Sequence, residues 1–325
     1  MSIERIVAEI LGQEKHGDVT LIHFEGKCGN FVPLPGVLSP SVITGLKKLG
    51  INEIYTHQLK AIDIISKGQN VVIATPTASG KTLCYNAPIL SELENHPESR
   101  AIYLYPTKAL TMDQSTGLRE LLEAAELKFK TSTYDGDTSV SIRQMLRVEG
   151  SIILSNPDML HTAILPQHTK WIHLFENLKF VVIDELHHYR GVFGSHMANV
   201  IRRLKRICAF YGSHPQFIMS SATISNPGEL ASKIIEDNVQ VISEDGSPHG
   251  DKFFFIYNPP IVDKQLGLRR SSLFESKRFA LKFIQNGIQT IIFARARLAV
   301  ENILKLLRDE AGKLGIKPDL IRGYR

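Results

Sequence analysis

A Gly-Lys-Thr triplet at residues 80–82 and an Asp-Glu pair at 184–185 are the residue types in this sequence best suited to chemistry. The triplet closes Ala74-Thr-Pro-Thr-Ala-Ser-Gly-Lys-Thr82, which follows the apolar run Val71 to Ala74 and opens an amphipathic segment at Lys81. In that position backbone N–H groups at a helix start can wrap phosphates, Lys81 can reach the β- and γ-phosphates, and the Thr82 hydroxyl can bind Mg²⁺. The strict phosphate-loop pattern asks for Gly at position 75, where Thr stands, so the triplet alone leaves open a helix start with no ligand. Asp184 and Glu185 end the apolar run Phe180-Val-Val-Ile183, at the strand edge where ligands bind in parallel sheets. There Asp184 can hold Mg²⁺ through its waters, and Glu185 can take a proton from the water attacking the γ-phosphate. The two features support each other on one predicted sheet. Ser221-Ala-Thr223 adds small hydroxyls at the same edge that can link the acids to a neighbouring domain, although such a tripeptide alone is a turn. Gln58, in Tyr55-Thr-His-Gln58, carries an amide that can bind both edges of adenine; alone it is an ordinary helix-surface residue.

These residues need strands and helices to hold them. From Ile51 to Ile242 short β-rich runs alternate with longer amphipathic segments, the pattern of β-α units around a parallel sheet. Strands are expected at Val71–Ala74, Ala101–Tyr105, Lys130–Thr133, Ser151–Leu154, Phe180–Ile183, Phe217–Ser220 and Val239–Ile242, each apolar enough to be covered on both faces. Helices are expected from Lys81 to about Leu93 and from a Ser195 cap to about Tyr211; the basic residues Arg202, Arg203, Lys205 and Arg206 then form a solvated face. An amphipathic helix over residues 2–11 and a Gly/Pro-rich lead-in reaching Pro40 precede the sheet. After a surface linker at residues 243–250 a second series begins, with strands at Phe253–Tyr257, Thr290–Phe293 and Leu320–Ile321 and helices at Glu275–Gln285 and Leu298–Ala311.

The composition, 43% hydrophobic and 22% charged over 325 residues, excludes disorder, collagen and coiled coil. Without ~18 consecutive apolar residues or a signal-peptide core, a soluble, intracellular chain with no membrane partner is expected. Cys28, Cys84 and Cys208 form no C-x-x-C pair and suggest neither a disulfide framework nor a zinc site. Residues 252–325 carry 15 Lys and Arg against 6 Asp and Glu, a basic excess that points to nucleic acid or equally to a solvated surface.

Taken in order, Gln58, Thr75 to Thr82, Pro106-Thr-Lys-Ala-Leu110, Asn156-Pro-Asp158, Asp184-Glu-Leu-His187 and Ser221-Ala-Thr223 resemble the motif series of superfamily 2 helicases of DEAD/DEAH-box type. Thr290-Ile-Ile-Phe-Ala-Arg295 resembles a further motif of the series. The loop 75–82, Tyr134-Asp-Gly-Asp-Thr138 and Tyr189-Arg-Gly-Val-Phe-Gly-Ser-His196 are similar to the Hrq/MrfA (YprA) branch of DNA helicases; His187, where RNA helicases of the DEAD-box kind carry Asp, agrees. The resemblance implies a DNA-dependent ATPase that translocates three-prime to five-prime on single-stranded or forked DNA, acts in DNA repair, and works in the cytoplasm at the nucleoid. It implies ATP held by Gln58, Thr75, Pro76, Thr77, Ala78, Ser79, Gly80, Lys81 and Thr82; Mg²⁺ held by Thr82 and Asp184; and catalysis by Glu185, Asp184 and Lys81. It implies coupling through His187, Ser221 and Thr223. Strand contact would fall to Pro106, Thr107, Lys108, Gly136, Asn156, Pro157, Asp158 and Arg295.

The resemblance also implies a fold: α/β, a RecA-like P-loop domain with a parallel sheet, then an incomplete second RecA-like domain. The expected division is an accessory segment at 1–35, the ATP-binding domain at 36–246 and the start of the second domain at 247–325. No Gln-x-x-Gly-Arg-x-x-Arg segment, which supplies the arginine finger in this family, occurs in the 325 residues, and the family's cysteine cluster for zinc is absent from them too. The chain is therefore expected to be an N-terminal part, inactive alone, whose partner is the remaining C-terminal part if the gene is split. An RNA helicase of the DEAD-box kind and a non-catalytic nucleotide- or nucleic-acid-binding module are the alternatives.

Overall fold

Alternation decides the architecture. Along each central strand successive side chains enter two different apolar cores, as period-2 geometry requires of a strand covered on both faces. Val71, Ile73, Ala101, Tyr103, Ile152, Leu154, Phe180 and Val182 lie in one core, while Val72, Ile102, Leu104, Ile153, Val181, Ile183, Phe217 and Met219 lie in the other. The computed structural model describes residues 3, 5, 6, 8, 9 and 18–323, and these divide into a unit of residues 27–249 and a unit formed by those up to Gly26 with those from Gly250 on. In chain order its principal elements are β1 (Asp18–Phe24), β2 (Phe31–Pro33), α1 (Pro40–Lys48), β3 (Glu53–Tyr55), α2 (Thr56–Ser66), β4 (Val71–Ala74), α3 (Lys81–Asn95), β5 (Arg100–Leu104), α4 (Lys108–Ala124), β6 (Thr131–Thr133), α5 (Val140–Glu149) and β7 (Ile152–Ser155). There follow α6 (Ile172–Glu176), β8 (Leu178–Ile183), α7 (Gly191–Phe210), β9 (Gln216–Ser221), α8 (Pro227–Ile235), β10 (Gln240–Ile242), β11 (Lys252–Asn258), β12 (Ile261–Asp263), β13 (Leu268–Arg269), α9 (Ser272–Gln285) and α10 (Arg297–Lys313).

In the larger unit seven strands form one sheet in the order β10-β4-β9-β8-β5-β7-β6, every pairing parallel. The first core takes residues from α1 to α4 and the second from α5 to α8, so helices cover both faces of a doubly wound α/β sheet. All seven expected strands are present within two residues of their expected limits. One helix differs: α7 starts at Gly191, four residues before the expected Ser195 cap, and the Ser195 hydroxyl donates to the Gly191 carbonyl within the helix at 3.2 Å. Two glycines in Gly191-Val-Phe-Gly194 make that first turn read as loop. The larger unit begins and closes at one place, where Lys27 N donates to His249 O at 2.8 Å and His249 N to Lys27 O at 3.0 Å.

In the smaller unit β11 occupies the expected strand at 253–257, but it pairs antiparallel with β1 over seven residue pairs. Helices α9 and α10 pack through Ala280, Leu281, Ile303 and Leu307. The strand expected at Thr290–Phe293 is not formed: among the described residues no strand runs beside it to share a ladder, and Ile291 and Phe293 are exposed. Leu320 belongs to a 3₁₀ turn, Pro318–Leu320, rather than to a strand. The helix expected over residues 2–11 lies largely outside the described residues, as do Tyr324 and Arg325. No helix among the described residues is long and apolar enough to cross a membrane.

Candidate active site

The phosphate loop joins β4 to α3 and is held from below by α2. Ala78 (φ +65°) and Gly80 (φ +76°) both take left-handed backbone, a conformation that turns successive N–H groups toward a common hollow. The left-handed φ favours Gly at position 80, and a Cβ there would also displace the Gln58 amide, whose Nε2 would lie 2.5 Å away. The Thr75 and Ser79 hydroxyls bond across the loop at 2.7 Å. Gln58 Nε2 donates to the Gly80 carbonyl at 2.9 Å and its Oε1 accepts from Tyr55 N–H at 2.8 Å, while His57 Nε2 lies 3.0 Å from the Ser79 carbonyl. Among the described residues no hydrogen bond is made by the N–H groups of Thr77, Ala78 and Gly80, which leaves them for an anion. Lys81 arches back over the loop, donating to the carbonyls of Thr75 at 2.9 Å and Pro76 at 2.8 Å. Burial lowers its pKa, against the opposing pull of the Glu185 and Asp184 charges.

The acids stand two strands away in sheet order, at the end of β8. Asp184 is buried, and its carboxylate accepts from the Ser220 hydroxyl, from Glu185 N–H at 2.9 Å and from Tyr85 OH at 3.5 Å. Burial first, and then repulsion from Glu185, pushes its pKa up to about 6. A bound divalent cation would reverse that preference. Thr82 Oγ1 donates to Gln114 Oε1 at 3.2 Å. A hydroxyl and one carboxylate suit Mg²⁺, which keeps waters and phosphate oxygens as its other ligands. Glu185 itself sits at φ +52°. His187 Nδ1 lies 3.2 Å from Glu185 Oε2 and 3.2 Å from Ala222 N–H, so one ring nitrogen faces both the acid and the end of β9. Burial lowers the pKa of this imidazole.

Three residues of this centre carry no motif of their own, Tyr85, Gln114 and Ser220, and His57 lies beside the loop outside it. For Tyr85 the one available sequence signal is its place a helical turn after Lys81. The hydroxyl that reaches Asp184 belongs to Ser220, whereas Ser221 Oγ is buried with no partner among the described residues and Thr223 is exposed. Gln58, expected at adenine, spends its amide on Tyr55 and the loop.

The residues expected at the nucleic-acid strand gather on the other half of the same edge. Pro106 and Thr107 follow β5, and Thr107 caps α4 by accepting from Leu110 N–H at 3.3 Å. Asn156 follows β7 and accepts from Met159 N–H at 2.8 Å, capping the short turn Pro157–Met159 that includes Asp158. Gly136 lies in the turn after β6, where one guanidinium, Arg143, donates to the carbonyls of Asp135, Gly136 and Thr138. Lys108 joins the first and last of these loops through ion pairs with Asp137 and, at 3.7 Å, Asp135. Arg295 lies in the smaller unit, just before α10.

A doubly wound parallel sheet with a phosphate loop after its β4 strand and an acid pair after β8 defines a RecA-like P-loop nucleotide-binding domain. Residues 55–230, more than half of the chain, match the DEAD/DEAH box helicase family, and the protein belongs to that family. It is 49% identical over its whole length to the uncharacterized ATP-dependent helicase YprA of Bacillus subtilis (strain 168), of which it covers 43%. It is 41% identical, over 84% of its residues, to the ATP-dependent helicase HRQ1 of Saccharomyces cerevisiae, of which it covers 25%. The crystal structure of DUF1998 helicase MrfA bound to DNA and AMPPNP superposes with a TM-score of 0.92 at 48% identity, covering 96% of this chain and 43% of that one. The chain thus spans less than half the length of these relatives.

Proposed function

We propose that these residues are the ATP-binding part of a DNA helicase that hydrolyses ATP and moves along single-stranded or forked DNA. One arrangement carries the reading. A single sheet edge presents the phosphate loop and acids at β4 and β8, and three capped or braced loops at β5, β7 and β6. Lys81 exchanges the Thr75 and Pro76 carbonyls for phosphate oxygens, and the loop N–H groups bind the rest of the triphosphate. When bound at Thr82 and Asp184, Mg²⁺ supplies neutralisation of phosphate charge. Glu185 accepts the proton of the attacking water, and His187, Ser221 and Thr223 link that event to the strand contacts. Thr107, Lys108, Gly136 and Asn156 to Asp158 hold sugar and phosphate, which every nucleotide presents alike, so the motor is indifferent to base sequence.

DNA is favoured over RNA because MrfA, 48% identical here, is crystallised bound to DNA. DNA repair at the nucleoid and three-prime to five-prime movement complete the proposal on the strength of the branch resemblance. An arginine finger is worth on the order of 10³–10⁵ in rate. The chain alone is expected to turn over slowly unless a further segment or partner chain supplies one.

The test is ATP binding and ATPase with single-stranded DNA, RNA or neither. Expected are saturable, Mg²⁺-dependent ATP binding lost in Lys81→Ala, and slow hydrolysis raised by DNA more than by RNA. Stimulation by RNA alone would reassign the substrate, and DNA binding with no ATP affinity would leave only a binding module.

A further inference from the structure

His57 takes no part in the chemistry described above, yet it is among the most constrained side chains near it. Its ring is 1% exposed and stacks on Tyr55 at 5.7 Å. Nδ1 accepts from Gly246 N–H at 3.2 Å, so the single imidazole hydrogen stands on Nε2 and is donated to the Ser79 carbonyl at 3.0 Å. One planar ring therefore ties the phosphate loop to residue 246, across 189 residues of sequence.

Gly246 lies in the segment by which the chain leaves the ATP-binding unit, and that segment is itself rigidly built. The Asp245 carboxylate accepts from Ser247 N–H at 2.9 Å, from the Ser247 hydroxyl at 2.7 Å and from His249, and Lys27 Nζ donates to the Asp245 carbonyl at 2.7 Å. Residue 246 is pressed against the start of α2, where a Cβ would collide with the Thr56 hydroxyl, and its carbonyl accepts from Asn30 N–H at 2.8 Å. Neither end of the His57 bridge is a free loop. Lys81 now holds the Thr75 and Pro76 carbonyls, so phosphates that drew it away would free the loop, and the Ser79 carbonyl is the point at which His57 touches that loop.

We propose that His57 is a positioning residue that transmits occupancy of the phosphate loop to the connecting segment at Gly246. This rests on the reading of the loop as an ATP site. Hydrogen–deuterium exchange of residues 243–250, measured on the whole chain with and without Mg²⁺ and AMP-PNP, tests it in three proteins. His57→Gln places an amide where Nε2 stands and keeps only the Ser79 bond, and His57→Asn keeps only an acceptor for Gly246. Wild type is expected to change its exchange rate over 243–250 by about threefold or more on binding the nucleotide. Both variants should bind it within about tenfold of wild type and show no such change. A purely structural His57 would lower the melting temperature but leave the nucleotide response intact, and that result overturns the proposal. A wild type that binds AMP-PNP without any response at 243–250 also overturns it. Failure of wild type to bind the nucleotide at all would instead remove the ATP-site reading and the proposal with it.

Discussion

Glu185 pairs a strained backbone with an exposed task. Left-handed backbone costs a residue with a side chain about 1–2 kcal/mol, and such strain persists where surrounding structure holds it, here the Asp184 carboxylate on its N–H. Gln fits the same backbone but takes no proton, so Glu185→Gln should bind ATP as wild type does while turnover falls about 10²–10⁴-fold, read by paired binding and ATPase assays. Asp245 makes a pH prediction. Burial alone would raise its pKa, but the Ser247 donors, His249 and Lys27 hold the carboxyl well below the ordinary carboxylate range. A depressed folded-state pKa gives stability that is complete above the unfolded value, near 4, and lost as pH falls below it. The melting temperature of wild type should therefore drop between pH 5 and pH 3 more steeply than that of Asp245→Asn, whose amide has no proton to gain and whose stability at pH 7 is already lower by about 1–3 kcal/mol.

Between residues and the sheet lie the loops, and the turn after β6 is the one most dependent on a single side chain. Arg143 Nε and Nη2 satisfy three carbonyls of residues 135–138, and its guanidinium lies 5.4 Å from the Tyr134 ring centroid. Charged donors of this sort contribute about 1.5–3 kcal/mol each when buried. Arg143→Ala should release the turn, weaken DNA binding about tenfold and leave ATP affinity unchanged, as titration with labelled strand and nucleotide would show. The sequence announces the strands of the larger unit because each is a short apolar run, and it announces the phosphate loop and acids because their chemistry sits at strand ends. It does not announce Ser220 on Asp184, or Gln58 turned toward Gly80, because those contacts depend on which strands and helices become neighbours. The antiparallel partnership of β1 with β11 is hidden for the same reason: its partners are separated by the whole larger unit. At Thr290–Phe293 apolar content alone misleads, since a strand also needs a neighbour.

On the scale of the whole molecule, charge and topology divide the labour differently from sequence order. The basic excess lies in residues 252–325, whereas the phosphate loop, acids and three strand-end loops all lie in 27–249. Residues 27–249 expressed alone should fold and bind AMP-PNP within about threefold of the whole chain. Their DNA affinity should fall less steeply with salt than that of the whole chain, because fewer phosphates are neutralised. An equal slope for the isolated piece would place the main DNA contacts in the larger unit. The paired backbone of Lys27 and His249 has one more consequence. A protein segment whose two ends meet behaves as a guest inserted into a host, and the host strands β1 and β11 already pair directly across the insertion point. The guest could be cut out and its ends joined by a few residues, then reopened at a surface turn such as Gly212, yielding a circular permutant with the same sheet and the same phosphate loop.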